Sequence, residues 1–439
     1  MARRTSSSSA AMRDLLASPI FLYVCLYLLY RFVRSIVLLE SDFYSLLKRS
    51  FQPKPTQHGS NGSKFGNSTA DVEIMSILAR RKLHPSDIAR DVDFMVFHSE
   101  WVSFSVLDDP KWQLYSCNVN YAYFVEMPFN IGEYSYRYCD SLAEGQFGEA
   151  QRVARVRWNR FITESERWRH FKGKVIALTT MPHAGSSVLC SSLQQIADDE
   201  TAPQALAVFS YPDVLTQIST YCETYEALGV ASIRKMLSAS LRFLCKDQAN
   251  KQTIVFRLRP SCIRLVLHIH AVAPHVMHVF MARDQLEHAI SLYIHPPLAD
   301  SDFIDVAKMA ILLQRTLPAF SNTITTITTG ETSSINMVRP KSVIELAVAL
   351  ICSSVINYKR QKKFYIAPVI YYETLISETR VTLKSLLNLC GLTDFVVSDN
   401  VVLAASEAGE KEADIIRELN NDEKTVIEQT TQLLEFYAD

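Results

Sequence analysis

The chain has 439 residues, of which 48% are hydrophobic, enough for one large domain or two smaller ones with a sizeable core. Its 45 Lys and Arg side chains are balanced by 46 Asp and Glu side chains, for a formal net charge of −1. This balance gives no support to a protein that holds nucleic acid through a basic surface, so any anion site must be local.

The first predicted element is an N-terminal membrane anchor. A polar and basic stretch over residues 1–14 precedes the apolar run PIFLYVCLYLLY, and apolar residues resume after Arg31 and Arg34. Arginines near the end of a span can reach the interface, so residues 15–39 could cross a thin bilayer. We predict a signal anchor over residues 15–39 after a cytosolic tail. The alternatives are a cleaved signal peptide, disfavoured because no cleavage site of small residues follows, and an amphipathic surface helix.

Residues 40–72 are predicted to form a stalk. Residues 51–71 are rich in Pro, Gly, Ser and Asn and cannot bury enough apolar surface to fold alone. They carry N-glycosylation sequons at Asn61 and Asn67, which are used only if this side of the membrane is a secretory lumen. Anchor, stalk and sequons together predict a single-pass type II protein with a lumenal body.

The cysteines do not form a metal or redox motif. None of the nine lies in a C-x-x-C pair, which argues against a zinc site, and we predict no bound metal. Cys117 and Cys139 are the pair to test for a disulfide.

Residues 73–170 are predicted to form a β-rich accessory subdomain. Aromatic and β-branched runs alternate with turn signals such as DDPK at 108–111 and PFNIG at 128–132. Residues 145–158, GQFGEAQRVARVRW, are predicted to be helical. The favoured interpretation is a packing subdomain; the alternative is a wall of an acceptor pocket.

Residues 171–400 alternate between strand and helix. The predicted strands are 174–180, 205–210, 253–257, 276–282 and 363–372, and helical patterns cover 187–196, 232–245, 261–272, 285–293 and 343–363. Apolar strands that alternate with helices predict an α/β fold, a parallel sheet flanked by helices. Ligands then bind at the carboxyl ends of the strands.

The turn after the first of these strands is typical of an anion site. Residues 181–186 read MPHAGS, and a helix is predicted to begin near Ser187, so free backbone amides and the positive end of the helix dipole converge. Gly185 lets the backbone come close, and Ser186 and Ser187 can cap the helix or donate to an anion. The Gly-Lys-Ser/Thr sequence of an ATPase or GTPase is absent.

A second predicted phosphate contact follows strand 276–282. Arg283 ends this strand, and Ser291 lies eight residues later in the next helix. A guanidinium at a strand's carboxyl end can form paired hydrogen bonds to a phosphate, and the serine can add another. The alternative is a surface ion pair of Arg283 with Asp284 or Glu287.

Several motifs of this chain resemble, in their order and spacing, those of the sulfotransferase superfamily. They are the strand with its PHAGSS turn, the later RD with its serine, YYETL at 371–375 and LCGL at 389–392. The resemblance covers residues 174–392 and implies a P-loop NTPase-like fold that binds the sulfate donor PAPS (3′-phosphoadenylyl sulfate). Two groups of residues would bind it. The donor's 5′-phosphate end would contact His183, Ala184, Gly185, Ser186 and Ser187, and its 3′-phosphate would contact Arg283 and Ser291.

The resemblance also implies a location and a reaction. The anchor and stalk are similar to those of Golgi carbohydrate sulfotransferases, which implies a Golgi membrane protein and a carbohydrate acceptor. The reaction would be in-line transfer of a sulfuryl group to a hydroxyl or amine. The family's usual Lys or Arg in the loop is His183 here, so His183 and Arg257 are the predicted catalytic residues, with Arg259 as an alternative to Arg257.

Two other functions stay open. One is a catalytically inactive sulfotransferase-fold binding protein, favoured by His183; the other is a P-loop kinase, disfavoured by the missing lysine. The general base is not identified. Candidates by residue type alone are His268, His270, His288 and Glu373. Residues 321–334 are predicted to be a mobile loop, and residues 401–439 an acidic amphipathic helix with a solvated face.

Overall fold

A computed structural model of the chain describes residues 19–51, 71–168, 171–198, 206–224, 228–248, 253–295 and 307–436, except residues 312, 315–317, 332, 367, 390 and 394. These residues divide into two compact units. Of the described residues, those within 1–83, 89–131 and 146–167 form the first unit, and those within 84–88, 132–145 and 168–439 form the second. Residues 132–145 join the second unit in part because the Tyr136 amide donates to the Val208 carbonyl at 2.8 Å.

The first unit contains an antiparallel sheet of the order β2-β1-β5-β4-β3. Its strands are β1 Val72–Arg80, β2 Phe94–Val102, β3 Trp112–Cys117, β4 Tyr121–Glu126 and β5 Arg152–Arg157. The predicted helix over 145–158 is wrong beyond Glu149, because RVARVR pairs as a central strand with β1 and β4. In Arg152–Arg157 the apolar residues Val153, Ala154 and Val156 are buried between three arginines, a pattern that suits a strand with a neighbour on each side.

Helix α1, Pro19–Phe51, belongs to the first unit and continues through the first twelve residues of the predicted stalk. One side is polar and is bonded to the sheet. The Arg34 guanidinium donates to the Phe94 and Asp91 carbonyls, both at 2.8 Å, and the Ser41 hydroxyl accepts from the His98 amide at 2.7 Å. The other side exposes large apolar side chains. They include Leu22, Leu29, Phe32, Ile36, Leu39, Phe43 and Leu46.

By length and composition, one helix of the described residues could cross a membrane; it covers Leu22–Ser50, and its most apolar window has a mean hydropathy of 1.8. It lies near the N-terminus, where a signal anchor was predicted. The predicted tail and the sequons at Asn61 and Asn67 lie outside the described residues.

The second unit contains a parallel sheet of the order β10-β9-β6-β8-β7, as the sequence predicted. Its strands are β6 Lys174–Thr180, β7 Leu206–Ser210, β8 Thr253–Arg257, β9 Val276–Ala282 and β10 Ile370–Tyr371. The predicted strand over 363–372 forms only at its end. Lys362–Phe364 is a 3₁₀ turn and Pro368 has no N–H to donate to a ladder.

Helices surround this sheet. They are α4 Ser186–Asp198, α5 Asp213–Thr224, α6 Gly229–Cys245, α7 Val266–Val272, α8 Leu286–Ile294, α9 Pro318–Thr329, α10 Ser333–Val338, α11 Val343–Gln361, α12 Tyr372–Ser377, α13 Thr379–Leu389, α14 Asp399–Ala413 and α15 Asn421–Phe436. Two shorter helices precede these in the chain, α2 Leu142–Glu149 and α3 Trp158–Ser165. Helix α3 and the second half of α2 belong to the first unit, and residues 142–145 to the second.

Two of the predictions for this unit are corrected. Most of the predicted mobile loop over 321–334 is instead helical, over residues 321–329 and 333–334, because Ile324 and Ile327 are buried and threonine hydroxyls such as Thr325 bond to carbonyls four residues earlier. The single predicted C-terminal helix is two helices, α14 and α15. Each buries apolar side chains, as an amphipathic helix does.

The Cys117–Cys139 disulfide does not form; the Cys139 thiol donates to the Ser141 carbonyl at 2.8 Å.

Candidate anion site

The loop between β6 and α4 lies at the carboxyl edge of the parallel sheet, next to its central strand. His183 and Gly185 both adopt left-handed backbone conformations, with φ of 55° and 72°. The loop folds back on itself through the Ala184 amide, which donates to the Met181 carbonyl at 3.3 Å. Helix α4 then begins at Ser186, so the amides of its first turn are directed to this edge of the sheet.

Gly185 is required for two separate reasons. Its positive φ strains any residue with a side chain, and a Cβ built there would lie 2.1 Å from a ring carbon of Tyr372. The sequence predicted that Gly185 lets an anion come close to the backbone. In the structure the group that comes close to Gly185 is the Tyr372 ring.

Arginines from the two strands that flank β6 both bond to this loop. Arg257 ends β8, and its Nε donates to the Ser186 hydroxyl at 2.9 Å. Arg283 follows β9, and its Nε donates to the His183 carbonyl at 3.0 Å. Both arginines lie at the edge where the strand pattern predicted a ligand site, because the carboxyl ends of neighbouring parallel strands lie at one edge.

The Arg283 side chain is already held by other groups. It is only 2% exposed, its guanidinium forms an ion pair with Glu412 at the end of α14, and it stacks 4.1 Å above the Tyr372 ring. The predicted pairing with Asp284 or Glu287 is not what binds it. Ser291 is engaged by the same C-terminal segment: its hydroxyl donates to the Arg417 carbonyl at 2.9 Å and accepts from the Arg417 amide at 3.0 Å.

His183 is neutral near pH 7 in this arrangement. The residue is exposed, but it is surrounded by protein at longer range and its ring meets the edge of Tyr293 at a centroid distance of 5.6 Å. This desolvation, and secondarily the Arg283 charge, lowers the pKa of His183 to about 4. Of the other predicted loop residues, Ala184 is buried and can offer only its backbone, while Ser187 is exposed.

The other candidates do not join the loop. Arg259 forms a two-point ion pair with Asp213, at 2.7 and 2.9 Å, so Arg257 is the arginine of that segment at the loop. His268 and His270 lie on α7, which leads into the amino end of β9 at the opposite edge. Glu373 is closer to the site, since it accepts from the Asp284 amide at 3.0 Å.

Sequence reasoning missed Tyr372 and Glu412, which contact Arg283. Tyr372 stood in the YYETL motif but only as a marker of order. Glu412 lies in an acidic run that a solvated helix explains equally well, so no local signal identified it.

Comparison with known proteins assigns no family. No protein-family model matches the chain, and no curated protein matches it. The description of this site therefore depends on its geometry alone.

Proposed function

We propose that the second unit binds PAPS and transfers its sulfuryl group to a hydroxyl or amine of an acceptor, with a carbohydrate as the acceptor class. The observation that supports this most is the pair of guanidiniums, Arg257 and Arg283, that hold the β6–α4 loop from both sides. Together with the amides of a helix start, these two guanidiniums would form a local anion site once Arg283 is released from Glu412, in a chain with almost no net charge.

In this proposal the chain's own residues position the donor and stabilise charge. Amides of residues 185–187 and Arg257 would hold the 5′-phosphate end, from which the sulfuryl group leaves. Charge grows there as the bond to the bridging oxygen breaks, and fixed donors stabilise it most effectively. His183 would contribute as imidazolium, because neighbouring phosphates favour its charged form.

Donor binding in this form requires the C-terminal segment to move. The Glu412 carboxylate now contacts the Arg283 guanidinium, and the Arg417 backbone uses the Ser291 hydroxyl. These are the two side chains proposed to bind the 3′-phosphate. The exchange replaces one oxyanion by another at Arg283, so the guanidinium stays paired throughout.

Thermal unfolding with nucleotides tests the proposal. Adenosine 3′,5′-bisphosphate should raise the melting temperature of the full chain, by an amount that grows with ligand concentration over its dissociation constant, and ATP should not. Stabilisation by ATP alone would refute the donor assignment and favour the kinase alternative. Transfer of labelled sulfate from PAPS then tests catalysis.

A catalytically inactive binding protein is the second candidate, and the neutral His183 in place of a fixed cation favours it. His183→Arg distinguishes the two. An impaired enzyme should gain turnover from the restored cation, whereas a binding protein should remain inactive and keep its affinity for the bisphosphate.

The cellular location forms part of the same proposal: a Golgi membrane protein of type II with a lumenal body. The apolar face of α1 supports membrane association, and the sequons at Asn61 and Asn67 support a lumenal side. The bonds from Arg34 and Ser41 to the sheet favour the alternative, a helix that lies along the membrane surface. Glycosidase treatment of the cell-expressed chain separates them, because only a lumenal body acquires glycans at the sequons.

A further inference from the structure

Tyr211, in the short connection from β7 to α5, has a backbone conformation that is unusual for a tyrosine. Its φ is 57°, in the left-handed region that glycine adopts freely and an aromatic residue adopts only with strain. Pro212 follows it, and the residue before a proline is normally extended. Glycine would suit this turn without strain, so the reason for a tyrosine is to be found in its side chain.

Two other described residues besides glycines have a positive φ, and they differ in their setting. Arg339 comes directly after α10, where a left-handed residue is common because it ends the helix. His183 lies in the β6–α4 loop. Tyr211 follows β7 as His183 follows β6, so both lie at the carboxyl edge of the parallel sheet. Strained residues of this kind cluster at functional sites.

The Tyr211 ring contacts two guanidiniums, one at the end of β8 and one just after it. The guanidinium carbons of Arg257 and Arg259 each lie over the ring, 4.7 Å from its centroid. The backbone fixes the ring there, because the Tyr211 amide donates to the Arg257 carbonyl at 2.8 Å, next to the last residue pair of β7 and β8. A guanidinium within about 6 Å of an aromatic face is attracted to it, so the ring holds both arginines.

The two arginines differ in what else binds them. Arg259 forms the two-point ion pair with Asp213, so its charge is compensated. The half-buried Arg257 forms no ion pair with any described residue: its Nε donates to the Ser186 hydroxyl, and its terminal nitrogens donate to no described residue. A ring holds a guanidinium without cancelling its charge or using its N–H groups, as a carboxylate would. Arg257 is therefore held in place with its charge available to an anion.

We propose that Tyr211 is a positioning residue of the anion site, whose ring holds the Arg257 guanidinium against the β6–α4 loop. The inference rests on the proposed function, in which Arg257 binds the donor's 5′-phosphate end and stabilises the charge that grows there. Tyr211 acts only through Arg257. The site then has one cation that is ready for an anion, Arg257, and one that must first leave Glu412, namely Arg283.

Affinity for adenosine 3′,5′-bisphosphate tests this role with a matched pair of variants. Tyr211→Phe keeps the ring, Tyr211→Leu keeps only apolar bulk, and both keep a side chain at the same strained φ. Titration calorimetry on the full chain should show binding about tenfold weaker to Tyr211→Leu than to the wild type, because the ligand must then immobilise Arg257 itself. Tyr211→Phe should restore the affinity to within about twofold of the wild type. Equal affinities of the two variants would overturn the proposal.

A double-mutant cycle identifies the arginine through which the ring acts. With Arg257→Met already present, Tyr211→Leu should have no further effect on the affinity, because the contact is gone. With Arg259→Met present, Tyr211→Leu should still weaken binding about tenfold. The opposite pattern would show that the ring acts through Arg259, and the proposal would be wrong.

Exchange of the Arg257 Nε proton, measured by NMR without ligand, tests the contact independently of the donor. Arg257→Lys identifies the signal by its loss. The proton should exchange at least about tenfold faster in Tyr211→Leu than in the wild type and Tyr211→Phe, because its hydrogen bond to Ser186 opens more often. Unchanged exchange would overturn the proposal.

The two measurements also separate this inference from the donor assignment. If the exchange depends on the ring but the bisphosphate binds neither the wild type nor the variants, the donor is wrong and the hold of Tyr211 on Arg257 stands. Should Tyr211→Leu fail to fold, Tyr211→Gly replaces it in each experiment, because glycine removes the ring and relieves the strain at this φ.

Discussion

Replacing Glu412 by Gln should strengthen binding of adenosine 3′,5′-bisphosphate, because it weakens the group that now contacts Arg283. The Arg283 side chain is 2% exposed and that of Glu412 is 21% exposed, so the pair is poorly screened by water. The glutamine can keep a hydrogen bond to the guanidinium but loses the attraction between the two charges. Exposed ion pairs contribute about 0.2–1 kcal/mol, and for this less exposed pair we expect about 1 kcal/mol, or about a fivefold gain in affinity.

Titration calorimetry with the bisphosphate measures this gain. Glu410→Gln on the same helix is the matched control, because Glu410 is exposed and has no side-chain bond to Arg283 among the described residues. It removes the same charge from α14 and should leave the affinity unchanged. An affinity of Glu412→Gln within twofold of the wild type would refute the idea that Glu412 takes the place of a phosphate. Equal gains in both variants would attribute the effect to net charge instead.

Three further predictions concern stability. Gly185→Ala should lower the free energy of unfolding by about 1–2 kcal/mol because of its positive φ, and by about 1–3 kcal/mol more because of the clash with Tyr372. Thermal melts measure this loss. Gly229→Ala is the control: it has a φ of 67° and open space around it, so it should show only the effect of φ. Ser342→Ala should cost about 1 kcal/mol by the same measurement, since its hydroxyl caps α11; an unchanged melt would mean that water replaces the cap. Arg34→Met should cost at least about 2 kcal/mol in the first unit, seen as faster amide exchange in β2, because two carbonyls lose a charged donor; unchanged exchange would mean that α1 does not stabilise the sheet.

The sequence was most informative where physical constraints are local. Three of the five predicted strands, β6, β8 and β9, have the predicted bounds, because each has a mainly apolar run with polar or turn residues beyond it. The position of Arg283 at the same edge as the loop followed from topology, since neighbouring parallel strands end at one edge. Both inferences require only the strands and their order.

The errors arose where two local patterns compete. RVARVR and the threonine-rich 321–334 segment both have weak intrinsic preferences, and tertiary partners decided each of them. The first became a strand because strands on both sides supply its hydrogen bonds, and the second became helical because its isoleucines are buried. Neither set of partners is adjacent in sequence.

The same limit applies to the state of the site. Glu412 lies 129 residues after Arg283, and no spacing rule connects an acidic helix near the C-terminus with an arginine at a strand end. Sequence patterns could therefore name the residues suited to a phosphate but not the carboxylate that contacts one of them.

Glu412 and His183 are linked through the guanidinium that both contact. In the present arrangement the Arg283 charge helps to keep His183 neutral, while Nη2 of the same guanidinium is paired with Glu412 and Nε donates to the His183 carbonyl. A bisphosphate that displaced Glu412 would bring anions to the loop itself, where they favour the imidazolium. The event that opens the site would then also supply the cation missing from the loop. A histidine here is consequently compatible with catalysis in a way that a fixed neutral residue is not, provided that the donor binds first.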